Sequence, residues 1–237
     1  MELSLSASRL RPGLFVVMAL VIMAGLAAEI LGSIWNLPTD RGVVPLLSLS
    51  YEWNVPTVYT AALVGLCVLS LCLLAIHARR QGQRHARHWW ALAVGFGWIG
   101  LDELVGIHEQ AGRLVDLDHL IHFDWVVPAA VLLVVLLAAF VPFLRHLPPR
   151  PRWRFVLAGA LYVGGAVGME LPLGWWTARH GSHNLGYGLI DAIEESLEML
   201  GLNLFLLALL DQLADGGVVL RFTSLPGASS SRTAGEP

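Results

Sequence analysis

Long apolar runs separated by short polar connections dominate the pattern along this chain. Six runs stand out, at approximately 13–35, 56–77, 89–107, 124–145, 154–176 and 188–210. A bilayer core of about 30 Å is crossed by roughly 20 apolar residues in an α-helix, so each run predicts one transmembrane helix. The connections are too short to hold a second folded domain. The predicted fold is an all-α integral membrane protein, a six-helix transmembrane bundle over residues 13–215. An N-terminal segment, 1–12, precedes it. A small, polar and aperiodic tail, 216–237, follows and is expected to be disordered.

Composition agrees with this reading. The chain has 237 residues, of which 56% are hydrophobic and 14% charged, and its mean hydropathy is +0.64. That is more apolar than the wettable surface of a soluble domain permits. Nothing in the charge pattern supports nucleic acid as a partner; the surrounding partner is membrane lipid. Cys67 and Cys72 lie five apart on the second run and point in different directions, so they are expected to pack rather than to form a disulfide. The first run follows Arg9 and Arg11 and ends near Ala27 and Ala28, like a signal sequence. Its apolar length exceeds the roughly 7–15 residues of a signal core, which predicts a retained helix.

Charge becomes informative once it is divided between the two sides. The connection from His77 to His88 carries Arg79, Arg80, Arg84 and Arg87 without an acid, and the connection after the fourth run carries Arg145, Arg150, Arg152 and Arg154. Cation-rich loops stay in the cytoplasm. The connection between the third and fourth runs holds Glu109, Asp116, Asp118 and Asp124 against Arg113 alone, and the first connection is also poor in cations. Both are therefore expected outside, which leaves both termini in the cytoplasm. Tryptophans collect at bilayer interfaces and agree: Trp35, Trp53, Trp125, Trp175 and Trp176 fall at outer ends, and Trp89, Trp90 and Trp153 at inner ends.

Under that topology one layer of the membrane is acidic. Glu29 lies near the outer end of the first run, Asp102 and Glu103 at the end of the third with His108 and Glu109 beyond them, Glu170 in the fifth, and Asp191, Glu194, Glu195 and Glu198 in the sixth. At 3.6 residues per turn the last four form one stripe. The apolar run after Glu198 is too short to span alone, so the hydrocarbon region must include Glu198 and extend toward Glu194 and Glu195. On the third helix Asp102 and Glu109 share a face with Gly106, whereas Glu103 and His108 project to either side of Asp102. Asn54 suits a helix cap and Pro56 a first-turn position ahead of the second helix. Tyr59, Thr60 and Tyr162 read as packing residues, and the HLIH pair at His119 and His122 as a polar interfacial loop.

Carboxylates this close do not all ionise in a low dielectric without a compensating charge. Either several are protonated or a divalent metal supplies the charge; carboxylates with an imidazole suit Fe, Mn or Zn, and also Ca or Mg, and their ratio does not select one. The candidate ligands are Asp102, His108, Glu109, Glu170, Glu195 and Glu198, with Glu103 or Glu194 as a general base.

The order YEWNVPTVYT before the second helix, LDELVGIHE at the end of the third, a lone Glu170 in the fifth and IEESLEMLG in the sixth resembles an uncharacterised family of bacterial multi-pass membrane proteins. Its motifs can be written ExNxPT, DExxxxHE and EExxEM. They are weak singly and fairly specific as a set, and the likeness spans nearly the whole chain. The resemblance implies a bacterial plasma-membrane protein and brings no activity, substrate or cofactor. Ceramidase-like membrane hydrolases use three histidines and an aspartate for zinc; this chain lacks the paired histidines of their late helix.

Three functions compete on these grounds. The first is a metal-dependent membrane enzyme acting on a lipid or small apolar substrate. The second is a proton or cation transporter or channel, which needs a cytoplasmic pathway although the inner halves of the helices hold almost no ionisable residue. The third is a non-enzymatic metal-binding sensor or assembly protein.

Overall fold

The computed structural model describes residues 2–3, 7–105, 126–218 and 220–221. Its helices are α1 (Ala7–Trp35), a short α2 (Val43–Leu47), α3 (Val55–Arg80), α4 (Ala86–Val105), α5 (Val126–His146), α6 (Pro149–Val163), α7 (Glu170–His180) and α8 (Leu185–Asp215). A π-helical turn, Gly164–Met169, joins α6 to α7. Among the described residues four helical segments are individually long and apolar enough to cross a membrane: Leu10–Trp35, Val55–Arg80, Pro149–His180 and Leu185–Asp215. Ala130–His146 is a shorter apolar helix. The chain is thus an all-helical membrane protein among its described residues, apart from one two-residue ladder that pairs Glu2 with Arg221 and Leu3 with Leu220.

Local chemistry sets the helix starts. The Asn54 side chain accepts hydrogen bonds from the Thr57 backbone N–H and hydroxyl, both at 3.1 Å, and Pro56 occupies the first turn, where its missing N–H would have no partner in any case. This is the cap the sequence predicts. Asn54 also donates to the Ser48 carbonyl at 2.7 Å, which fastens the α1–α3 connection to the start of α3. Asn184 plays the same part for α8: it accepts from Tyr187 N–H at 3.0 Å and from Trp176 Nε1 at 2.9 Å.

Helix α8 is the hub, packed against α1, α3, α6, α7 and the π turn. Met199, Leu202, Asn203 and Leu209 are fully buried along it. Small residues permit its closest crossing. A Cβ on Gly201 would stand 2.8 Å from the Ala158 carbonyl oxygen and 2.7 Å from the Tyr162 nitrogen, and in lipid such close backbone approach is a main source of helix association. The outward surface is apolar: Val131, Leu132, Val134 and Val135 of α5 are 59–65% exposed, as a lipid-facing helix requires.

Contacts between distant parts of the chain give the bundle a basic end and an acidic end. At the basic end Asp211 pairs with Arg154 and, at 3.8 Å, with Arg11, so the start of α1, the start of α6 and the end of α8 meet there. His85 packs on His146, which brings the α3–α4 turn to the same end. The Glu2–Arg221 ladder sets residues 2–3 beside residues 220–221. Cys67 and Cys72 are both free thiols. The fifth apolar run is longer than predicted, because α6, the π turn and α7 continue as one rod from Pro149 to His180. The predicted tail lies outside the described residues beyond Arg221, and so do Gly106, Asp116, His119, His122 and Trp125.

Candidate functional site

At the acidic end the predicted acids come from four different helices. Glu29 of α1 accepts a hydrogen bond from the buried Ser48 hydroxyl. Its carboxylate lies against Gly188 of α8, where a Cβ would meet Oε2 at 2.5 Å. Three residues along α8, Asp191 is close enough to Glu29 for their charges to interact, and it faces Ser50. One Asp191 oxygen, Oδ2, is buried and has no hydrogen-bond partner among the described residues.

The α8 stripe continues this line. Glu194 is 9% exposed, has a buried Oε2 with no hydrogen-bond partner among the described residues, and neighbours Glu170, Asp191 and Glu198. Glu195 neighbours Glu198, Glu103, Asp191 and Glu194. Glu198 neighbours Glu103, Asp191, Glu170 and the Tyr162 hydroxyl. Tyr162 in turn lies within electrostatic range of Glu103, Glu195 and Asp102. Glu29, Asp102, Glu103, Glu170, Asp191, Glu194, Glu195 and Glu198 therefore form one connected set. No Arg or His among the described residues pairs with Asp191, Glu194, Glu195 or Glu198.

The π turn explains how Tyr162 and Glu170 face the same helix. Eight residues apart on a regular α-helix, they would point about 80° away from each other. A π turn absorbs about one extra residue, which restores the register of a seven-residue spacing and brings them to within about 20°. Gly165, inside that turn, lets the rod press on α8: a Cβ there would lie 2.8 Å from the Glu198 Cγ and 2.8 Å from the Glu194 carbonyl oxygen.

Of the predicted ligands, Glu198 lies within electrostatic range of Glu170 and of Glu195, with Asp102 reached through Tyr162. The predicted bases Glu103 and Glu194 stand among them. His108 and Glu109 lie outside the described residues. Among the described residues no group of three or more His, Cys, Asp or Glu side chains stands in a metal-holding arrangement. The donor set is carboxylate and phenol oxygen, which suits hard and borderline divalent cations. Sequence reading gave Tyr162 a packing role alone and passed over Gly165 and Ser48; a tyrosine eight residues from a buried glutamate was the available signal, and only the π turn gives it meaning.

Toward the basic end the bundle is closed by rings. Phe96 of α4 stacks on Phe205 of α8 at 4.6 Å, Phe155 of α6 meets Phe205 at 5.4 Å, and Trp89 packs edge-on against Phe143 at 4.8 Å. Beyond them three imidazoles gather: His85 lies 4.7 Å from His146 and 4.9 Å from His88, which stacks on Phe143 at 5.2 Å. Loss of hydration, then the neighbouring His146, His88 and Arg84, hold His85 below the usual histidine pKa.

No curated protein and no solved structure matches this chain. A family described as a domain of unknown function, DUF8692, matches residues 13–213. The chain belongs to that DUF8692 family, across both the bundle and the acidic site.

Proposed function

We propose that this is a six-pass plasma-membrane protein with both termini in the cytoplasm, whose acidic end forms a cation site in the outer half of the bilayer. The arginine-rich α3–α4 and α5–α6 connections support that orientation, because cation-rich loops remain cytoplasmic. The α1 and α8 ends meeting at Asp211 agree with an even number of crossings.

The reading is carried by one observation: acids from α1, α4, α7 and α8 share a single neighbourhood. An acid at the centre of a membrane helix costs about 2.5–3.5 kcal/mol on insertion scales, and mutual repulsion adds to that cost. A divalent cation, Fe, Mn or Zn, offsets both terms. Glu170, Glu195, Glu198 and Asp102 supply its oxygen ligands in this reading, together with His108 and Glu109. Glu103 or Glu194 acts as general base. A cation held by these residues would supply Lewis acidity or an activated water, so the activity proposed is that of a metal-dependent membrane enzyme acting on a lipid or small apolar substrate from the outer leaflet.

Transport is the weaker alternative. The ring layer of Phe96, Phe155, Phe205, Trp89 and Phe143 packs the route from the acidic site to the basic end with apolar side chains. A sensor or assembly role would keep the cation and lose turnover. Proteoliposomes loaded with membrane lipid extract separate these readings. Product formation that stops on chelation, returns with one divalent metal and is missing in Glu198→Gln supports the enzyme. Cation flux without lipid turnover refutes it.

A further inference from the structure

The α3–α4 turn at the basic end borders an open cavity of about 440 Å³, lined by Arg79, Gly82, Gln83, Arg84, Arg87 and Trp90 among others. Gly82, at φ +63, makes the tight reversal that sets Arg79 on the last turn of α3 beside Arg87 on the first turn of α4. All three arginines are exposed, and none is ion-paired among the described residues. Guanidinium groups grip phosphate through paired N–H donors. The start of α4 adds the positive end of a helix of 20 residues.

A second feature of α4 runs away from this cavity. Trp90, Val94, Trp98, Leu101 and Val105 recur at four, four, three and four residues, so they share one face of the helix. All are exposed, at 37%, 71%, 60%, 48% and 47%. A phosphate group in the arginine cavity would thus stand at the foot of an apolar track running along the helix. A free phosphate has no use for that track; a lipid has.

We propose that this cavity binds the phosphate of an anionic phospholipid headgroup, with an acyl chain lying along the Trp90–Val94–Trp98–Leu101 face. Basic pockets beside transmembrane helices favour anionic headgroups in this way. The leaflet concerned, the inner one, rests on the orientation proposed above; the chemistry of the cavity does not.

The full-length protein in zwitterionic detergent is titrated with short-chain phosphatidylglycerol, short-chain phosphatidylcholine and inorganic phosphate, and binding is read by native mass spectrometry. The expected result is a clear preference for phosphatidylglycerol. The Arg79→Gln/Arg84→Gln/Arg87→Gln variant should lose about a hundredfold in that affinity, at about fivefold per arginine. Arg80→Gln, a neighbouring arginine off the cavity, should change it by less than about twofold. Trp98→Ala should weaken phosphatidylglycerol and leave phosphate unchanged. If the triple variant does not fold, Arg84→Gln on the exposed turn should still weaken phosphatidylglycerol by about fivefold. Equal binding of phosphatidylcholine, an unaffected arginine variant, or phosphate binding as tightly as phosphatidylglycerol would each overturn the proposal. Side-specific labelling of Gln83→Cys tests the orientation independently, so failure of the topology is not mistaken for failure of the lipid site.

Discussion

Gly165 and Glu198 touch where the π turn crosses α8, so closely that a single added carbon on Gly165 would sit 2.8 Å from the Glu198 Cγ. The contact joins the backbone irregularity to the acidic site. Gly165→Ala should therefore destabilise the protein by about 1–3 kcal/mol, the usual cost of overpacking. Gly164→Ala, with no atom within 4 Å of the added carbon, should change stability by less than about 0.5 kcal/mol. Thermal unfolding in detergent compares the two.

Tyr162 sets its phenol beside Glu198 from outside the carboxylate set. Partners that orient a ligand commonly contribute about 10–100-fold to cation affinity. Tyr162→Phe should weaken cation retention by about that factor while leaving the fold intact, as measured by competition with a metal indicator. Tyr59→Phe, which alters the 2.8 Å contact from Asn203 rather than the acidic set, should leave retention unchanged.

The pair of arginines on Asp211 predicts a smaller effect. These groups are 30–51% exposed at the side chain, and exposed ion pairs contribute about 0.2–1 kcal/mol and are screened by salt. Asp211→Asn should lower the melting temperature slightly at low ionic strength, and the difference should shrink at high ionic strength.

The histidine group at the basic end predicts a pH dependence. With its folded pKa held below the usual histidine value, His85 binds a proton more readily in the unfolded chain. Stability should be unaffected well above the unfolded pKa of about 6.5 and should fall as pH drops through it. Melting temperature recorded from neutral to mildly acidic pH should show this decline, and His85→Gln should flatten it.

The helical plan and the acidic layer are both written in the amino-acid pattern, because lipid imposes run length and penalises charge. Asp191, Glu194, Glu195 and Glu198 follow a spacing that any α-helix converts into a stripe. Tyr162 and Gly165 do not announce themselves in that way. Their roles depend on one extra residue taken up by the π turn, and the GGAVGM sequence gives no periodic sign of it. The Glu29–Ser48 hydrogen bond was equally hidden, since it depends on how the α1–α3 connection folds back beneath Asn54. The α4 face from Trp90 to Leu101 was read only as part of an apolar run, although its spacing was already visible.

Topology can be checked without reference to function. Gln83→Cys and Ser182→Cys lie on exposed connections at opposite ends of the bundle. In intact cells a membrane-impermeant maleimide should label Ser182→Cys and should reach Gln83→Cys only after lysis. The reverse pattern would invert the proposed orientation.

The shared cation site is tested most directly by element-resolved metal analysis of the protein purified without chelators, alongside Glu198→Gln. The account predicts one divalent transition metal at a fixed ratio to the wild-type chain and its loss from the variant. A wild-type protein that is folded, fully stable and free of metal would contradict it.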